Sequence, residues 1–153
     1  MRALEPWVAA PLETFIAESS ARLILLMTTS GQVVAQHGFS RSVEVMTAAA
    51  LGAAIVASTE ELAKIMGTPR FAALVHGGAQ QSCMLSAFGT PRGRWIGLVV
   101  FGPETSVGIV QLFFDQMVQQ LMTAAPREQA QAPALAENFE SELNASLKAL
   151  FGR

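Results

Sequence analysis

The 153 residues, 51% of them apolar and 14% charged, suffice for one domain with a real core but carry little charge for a surface that must stay soluble alone. A net charge of −2 argues against a nucleic-acid surface or an anionic membrane as partner. The single cysteine, Cys83, excludes an intrachain disulfide and any cysteine-cluster zinc site.

The lead-in MRALEPWVAAPLETF has no signal-peptide apolar stretch before Pro6 and Pro11 interrupt it, so cytoplasmic residence is the expectation. Residues 5–19 read as a first helix. Leu12, Phe15 and Ile16 form its apolar face, and Pro11 sets its start near Ala10, since proline is tolerated only in a first turn. The apolar run 21–29 (ARLILLMTT) suits a strand covered on both faces. Ser30-Gly31 is a turn, and 32–36 (QVVAQ) returns as the second arm of a hairpin.

Residues 42–66 then form a long helix. Ser40 or Ser42 is expected as its cap, Glu44 sits in its first turn, and Gly67 is its stop. From Val45 to Thr59 it carries no charge, and Ala48, Ala49, Ala50, Ala53, Ala54 and Ala57 dominate it. Leu51, Ile55, Leu62 and Ile65 fall on one helical stripe, which is expected to lie on a sheet while small residues cover the remaining circumference. A rod apolar nearly all round is buried nearly all round. It is too rich in Thr, Ser and Gly to be read as a membrane span. Little chain remains to cover its second face, so a protein partner is expected there.

Strands follow at 71–76 (FAALVH), 81–88 (QSCMLSAF) and 94–101 (RWIGLVVF), making an antiparallel meander with Gly97 as a close-approach site. Thr105 or Ser106 caps a helix to about Ala124, with Val110, Phe113, Phe114, Met117 and Leu121 on its buried face. Residues 125–136 (APREQAQAPALA) read as a linker, and 137–153 as an amphipathic C-terminal helix. The chain thus divides into a domain over 1–124, the linker and the tail. The fold class is α+β: helix, two strands, helix, three strands, helix, with a five-stranded antiparallel sheet flanked by helices.

That order, with LILLMTTSGQVVA (23–35), ELAKIMG (61–67), RFAALVHGGAQQSCMLSAFG (70–89) and WIGLVVFGPETSVGIVQL (95–112), resembles the roadblock/light-chain-7 family and its MglB-like branch over residues 5–124. The resemblance implies a homodimer with central helices side by side and sheets joined or packed across a two-fold axis. It also implies activation of an MglA-type small Ras-like GTPase in bacterial cell polarity or motility. No arginine finger enters from the activator, and the partner's switch segments are reshaped instead. The family's GTPase-facing side falls on Ala53, Ala57, Glu61 and Lys64, where Glu61 departs from the small residue of some members. A C-terminal extension that reaches the GTPase would use Phe139, Leu143, Leu147 and Phe151, which suit helix-in-groove recognition after a tether.

Chemistry of its own is not expected: no catalytic, cofactor-binding or metal residues, and no cofactor. Neither GxxxxGK[ST] nor GxGxxG occurs, and Asp115 is the only aspartate. Glu60 and Glu61 are adjacent and point in different directions on a helix. His37 and His76 read as strand-end or loop residues, Cys83 as packed, and Arg92 and Arg94 as a solvated turn. Besides the regulator, two other readings stand: a non-catalytic roadblock scaffold paired with another roadblock protein, and a small-ligand sensor with a pocket beneath the sheet.

Overall fold

In the computed structural model the chain is described over residues 2–3, 5–126 and 143–150. Its elements are β1 (Arg2–Ala3), α1 (Pro6–Ser19), β2 (Leu23–Thr28), β3 (Val33–His37), α2 (Ser42–Met66), β4 (Leu74–His76), β5 (Ser82–Thr90), β6 (Gly93–Phe101) and α3 (Val107–Ala124). Every strand pairing is antiparallel, and the sheet runs β1-β3-β2-β6-β5-β4. The expected five strands are all present. The sixth, β1, is a two-residue addition at the β3 edge, pairing Arg2 with Gln36 and Ala3 with Ala35. So short a strand carries no periodicity, which is why the sequence does not announce it.

The sheet is buried on both sides. On one side Ile24 and Leu26 of β2, Met84 of β5 and Trp95 and Val99 of β6 join α1 and α3. On the other, Leu25 and Met27, Leu85 and Ile96 meet α2. Successive side chains of a strand point to opposite faces, so the unbroken run Leu23–Met27 feeds both layers, as its composition implies.

The α1/α3 layer holds the stacked and edge-on aromatic pairs. Trp7 stacks on Trp95 with ring centroids 5.6 Å apart, and Phe114 meets Phe88 and Phe15 edge-on at 5.6 and 6.2 Å. Such pairs add about 0.5–1.5 kcal/mol each beyond their burial. They explain why α1 begins at Pro6, ahead of the expected start near Ala10, and carries Pro11 inside it. Proline at the first helical position costs nothing, whereas Pro11 removes an interior hydrogen bond. Burial of Val8, Pro11, Leu12 and Phe15 offsets that loss. Gly97 lies directly under Phe114, and a Cβ there would stand 2.6 Å from its Cζ. Its role as a close-approach site follows.

Helix ends follow local chemistry. Ser106 caps α3 by accepting from the Ile109 N–H at 3.3 Å. Gly67 closes α2 at φ 67°, with its N–H toward the Ala63 and Lys64 carbonyls. At the start of α2 the cap position belongs to Arg41, with no side-chain cap hydrogen bond, so neither Ser40 nor Ser42 fills the expected role.

Candidate interaction face

α2 lies on the sheet with its small residues inward. Val45, Ala49, Gly52, Ala53 and Ala63 are its buried positions. The facing strands supply large side chains at Leu25, Met27, Leu85 and Ile96. A Cβ on Gly52 would come within 3.1 Å of Met27 Cε, and the β2–β3 turn at Gly31 brushes the α2 backbone at Ala49–Ala50. Bulk from the sheet leaves room chiefly for alanine and glycine beneath the helix, Val45 being the one larger residue among those buried positions.

The larger stripe therefore turns outward, which corrects the expectation from periodicity. Leu51 is 60% exposed, Leu62 51% and Ile65 82%, while Ile55 is half-buried at the flank. Val43, Met46 and Met66, outside that stripe, are exposed on the same helix. Helical spacing defines the stripe but is silent on which side meets the sheet. The signal that decides it is size matching, since strands full of large residues need a small-residue cover. By length and composition alone α2 could cross a membrane, but its inner face is packed on the sheet.

Of the four residues expected to face a GTPase, Ala57, Glu61 and Lys64 are exposed. Glu61 and Lys64 pair with each other at 3.0 Å. Ala53 is 8% exposed and belongs to the sheet contact, one step round the helix from the other three. Glu60 points the other way, as adjacency requires, and pairs with Arg94 of β6. Arg92 pairs with Glu5 at 3.3 Å. Ion pairs thus tie α2 and the residue before α1 to the β5–β6 hairpin; Arg94 is half-buried, while Arg92 stays exposed as expected. Their partners are 34 or more positions away in sequence, beyond any local pattern.

β4 forms one margin of the sheet. It pairs with β5 on one side only, and spans Leu74–His76 rather than the expected 71–76. Upstream, the Ser86 hydroxyl donates to the Ala72 carbonyl at 2.8 Å, so that stretch is held without strand pairing. Phe71 and Val75 are exposed beside it. His37 and His76 end their strands, as expected. Cys83 stands opposite His76, and burial pushes its thiol pKa up, which leaves it a weak nucleophile. No cluster of three potential metal ligands occurs among the described residues. In the tail, 143–150 is helical, with Leu143 and Leu147 exposed; Phe139 and Phe151 lie outside the described residues.

No family model and no curated protein matches the sequence. Solved structures do. MglB of Myxococcus xanthus aligns at TM-score 0.69 and 24% identity over 78% of this chain and 95% of that one. The gliding protein MglB of Thermus thermophilus aligns at 0.67 and 27% identity over 78% and 88%. A roadblock/LC7 domain of Streptomyces avermitilis aligns at 0.64 and 14% over 71% and 89%. The first and last are likenesses of fold; the Thermus protein adds likeness of sequence along nearly the same span. With TM-scores of 0.64–0.69 over most of both chains, the chain has the roadblock fold and is similar to MglB.

Proposed function

We propose that the chain acts as a cytosolic homodimer that regulates a small Ras-like, MglA-type GTPase as its activator, in bacterial polarity or motility. The observation that carries this reading is the outward face of α2, where Leu51, Leu62 and Ile65 stand in solvent in the single subunit. Large apolar side chains on a contiguous face mark a protein interface. A second copy, laid α2 against α2 with the open β4 margins adjoining, covers them with the same surface twice, as two-fold assemblies do. A solved MglB has a tetrameric arrangement, which supports self-association in this fold.

The flank beside that seam presents Ala57, Glu61 and Lys64. Alanine at 57 permits close approach of a partner backbone, and the Glu61–Lys64 pair supplies a polar rim. No group of this chain need enter the partner's nucleotide site. A surface that binds the assembled switch better than the relaxed one raises the population in which the partner's own water-positioning residue and charge stabiliser are placed. Mixing the dimer with a GTP-loaded MglA-type protein is the test: hydrolysis accelerates, and unchanged turnover at saturating dimer rejects the activator role. Ala57→Arg in the dimer is expected to weaken that binding by about 2 kcal/mol, roughly thirtyfold, without loss of folding.

A second reading, a scaffold paired with another roadblock protein, draws on Glu61. A charged residue at this point of the flank favours a different mate from the one small-residue members take. Co-expression with a candidate roadblock partner and mass determination by light scattering separates heterodimer from homodimer.

A further inference from the structure

β1 pairs with β3 at Ala35 and Gln36 only and stops short of Val33 and Val34. Beside that open stretch, β3, the loop after it and the first turns of α2 border a cleft of about 440 Å³. Small-molecule sites measure about 300–1,000 Å³ and are mostly apolar with a few placed polar groups. Val33, Val34, Phe39, Val45 and Met46 supply the apolar part here. Gln36, Ser40, Arg41 and Ser42 supply the polar part.

Those polar groups are chiefly donors. The Gln36 side-chain carbonyl accepts from the Phe39 N–H at 3.1 Å, which sets the amide orientation and leaves its NH2 to donate. Arg41 has donors only. Its carboxylate neighbour, Glu44, lies 4.0 Å off, with both side chains more than half exposed. Glu44 does not line the cleft, and no other carboxylate does. The Ser40 and Ser42 hydroxyls have no hydrogen-bond partner among the described residues. A ligand head that answers this set accepts hydrogen bonds and carries negative charge. A carboxylate matches the planar guanidinium fork with two parallel bonds.

The volume selects the body of the ligand. An α-helix is about 10 Å across and rises about 5.4 Å per turn, so one turn of peptide occupies about 420 Å³ and fills the cleft. An unbranched hydrocarbon chain is far slimmer. It sets a longer run of apolar surface against Val33, Phe39 and Val45, and each buried methylene is worth about fourfold in affinity.

We infer that the β3–α2 cleft binds a medium-chain fatty acid, its hydrocarbon tail along Val33, Phe39 and Val45 and its carboxylate at Arg41 and Gln36. The site lies within one subunit and does not depend on any GTPase. Decanoate titrated into the full chain, with amide chemical shifts as the readout, is the test. Saturable binding of one molecule per chain is expected, with shifts centred on residues 33–46. Octanoate should bind about fifteenfold more weakly. Decyltrimethylammonium, with the same tail and the opposite charge, should bind at least about tenfold more weakly. Arg41→Gln, at an exposed position, should weaken decanoate about tenfold while the sheet amides keep their shifts. Four outcomes each overturn the inference: no saturation below about 1 mM decanoate, shifts centred on Leu51, Leu62 and Ile65, equal binding of the cationic or the shorter chain, or decanoate affinity that Arg41→Gln leaves intact.

Discussion

Replacing Leu51 by aspartate tests the seam most directly. The side chain is 60% exposed in the single subunit and is the first residue of the outward stripe. Full burial of a leucine is worth about 1.5–3 kcal/mol, so the uncovered share carries about 1–2 kcal/mol per copy. A two-fold interface contains it twice, and the loss comes to about 2–4 kcal/mol before the cost of bringing two carboxylates together. At 1.4 kcal/mol per decade this weakens the dimer by about thirtyfold to a thousandfold. Sedimentation velocity across a dilution series reads the shift. Far-ultraviolet circular dichroism below the melting transition should keep its helical signal, because the lost contacts lie between subunits. A variant whose dimer constant stays within about threefold of the parent's would refute the placement of Leu51 at the seam, and with it the two-copy reading of α2.

Three further outcomes follow from the packing. Gly97→Ala drives a methyl into the Phe114 ring and should cost about 1–3 kcal/mol, read as a lower denaturant midpoint. Arg94→Ala leaves Glu60, 27% exposed at its side chain, without its partner; a loss of about 1–3 kcal/mol is expected. Lys64→Ala, which breaks the exposed Glu61 pair, should change stability by under about 0.5 kcal/mol. The Arg22 guanidinium, hydrogen-bonded to both Glu104 oxygens at 2.8 and 3.1 Å, holds that carboxyl below its usual pKa. A lowered folded pKa gives a contribution present above the ordinary carboxylate range and lost as pH falls through the folded value. Carbon-detected NMR titration should therefore show Glu104 protonating below the ordinary carboxylate range, and Arg22→Gln should move it back toward that range.

Elements and caps are legible where a local rule has one answer. The two-sided apolar run in β2, the Gly67 stop, the Ser106 cap and the close approach at Gly97 each depend on a handful of neighbouring residues. The orientation of α2 is not legible in that way. A rod apolar on all sides satisfies the same periodicity whichever face meets the sheet, and the choice rests on the bulk of Met27, Leu85 and Ile96 from three different strands. The placements of Ala53 and Arg94 depart from expectation for a related reason, since each is decided by a residue distant in sequence. Pro11 shows tertiary packing outweighing a propensity that local rules treat as decisive.

The short β1 gives the sheet two unlike margins. Ala35 and Gln36 already have backbone partners from the chain's own beginning, while β4 offers its outer carbonyls and amides to whatever arrives. Two copies joined β4 to β4 would consume both of those free borders in the same act. The opposite margin ends in β1, an edge strand of only two residues, and so short an edge is a poor template for a further chain.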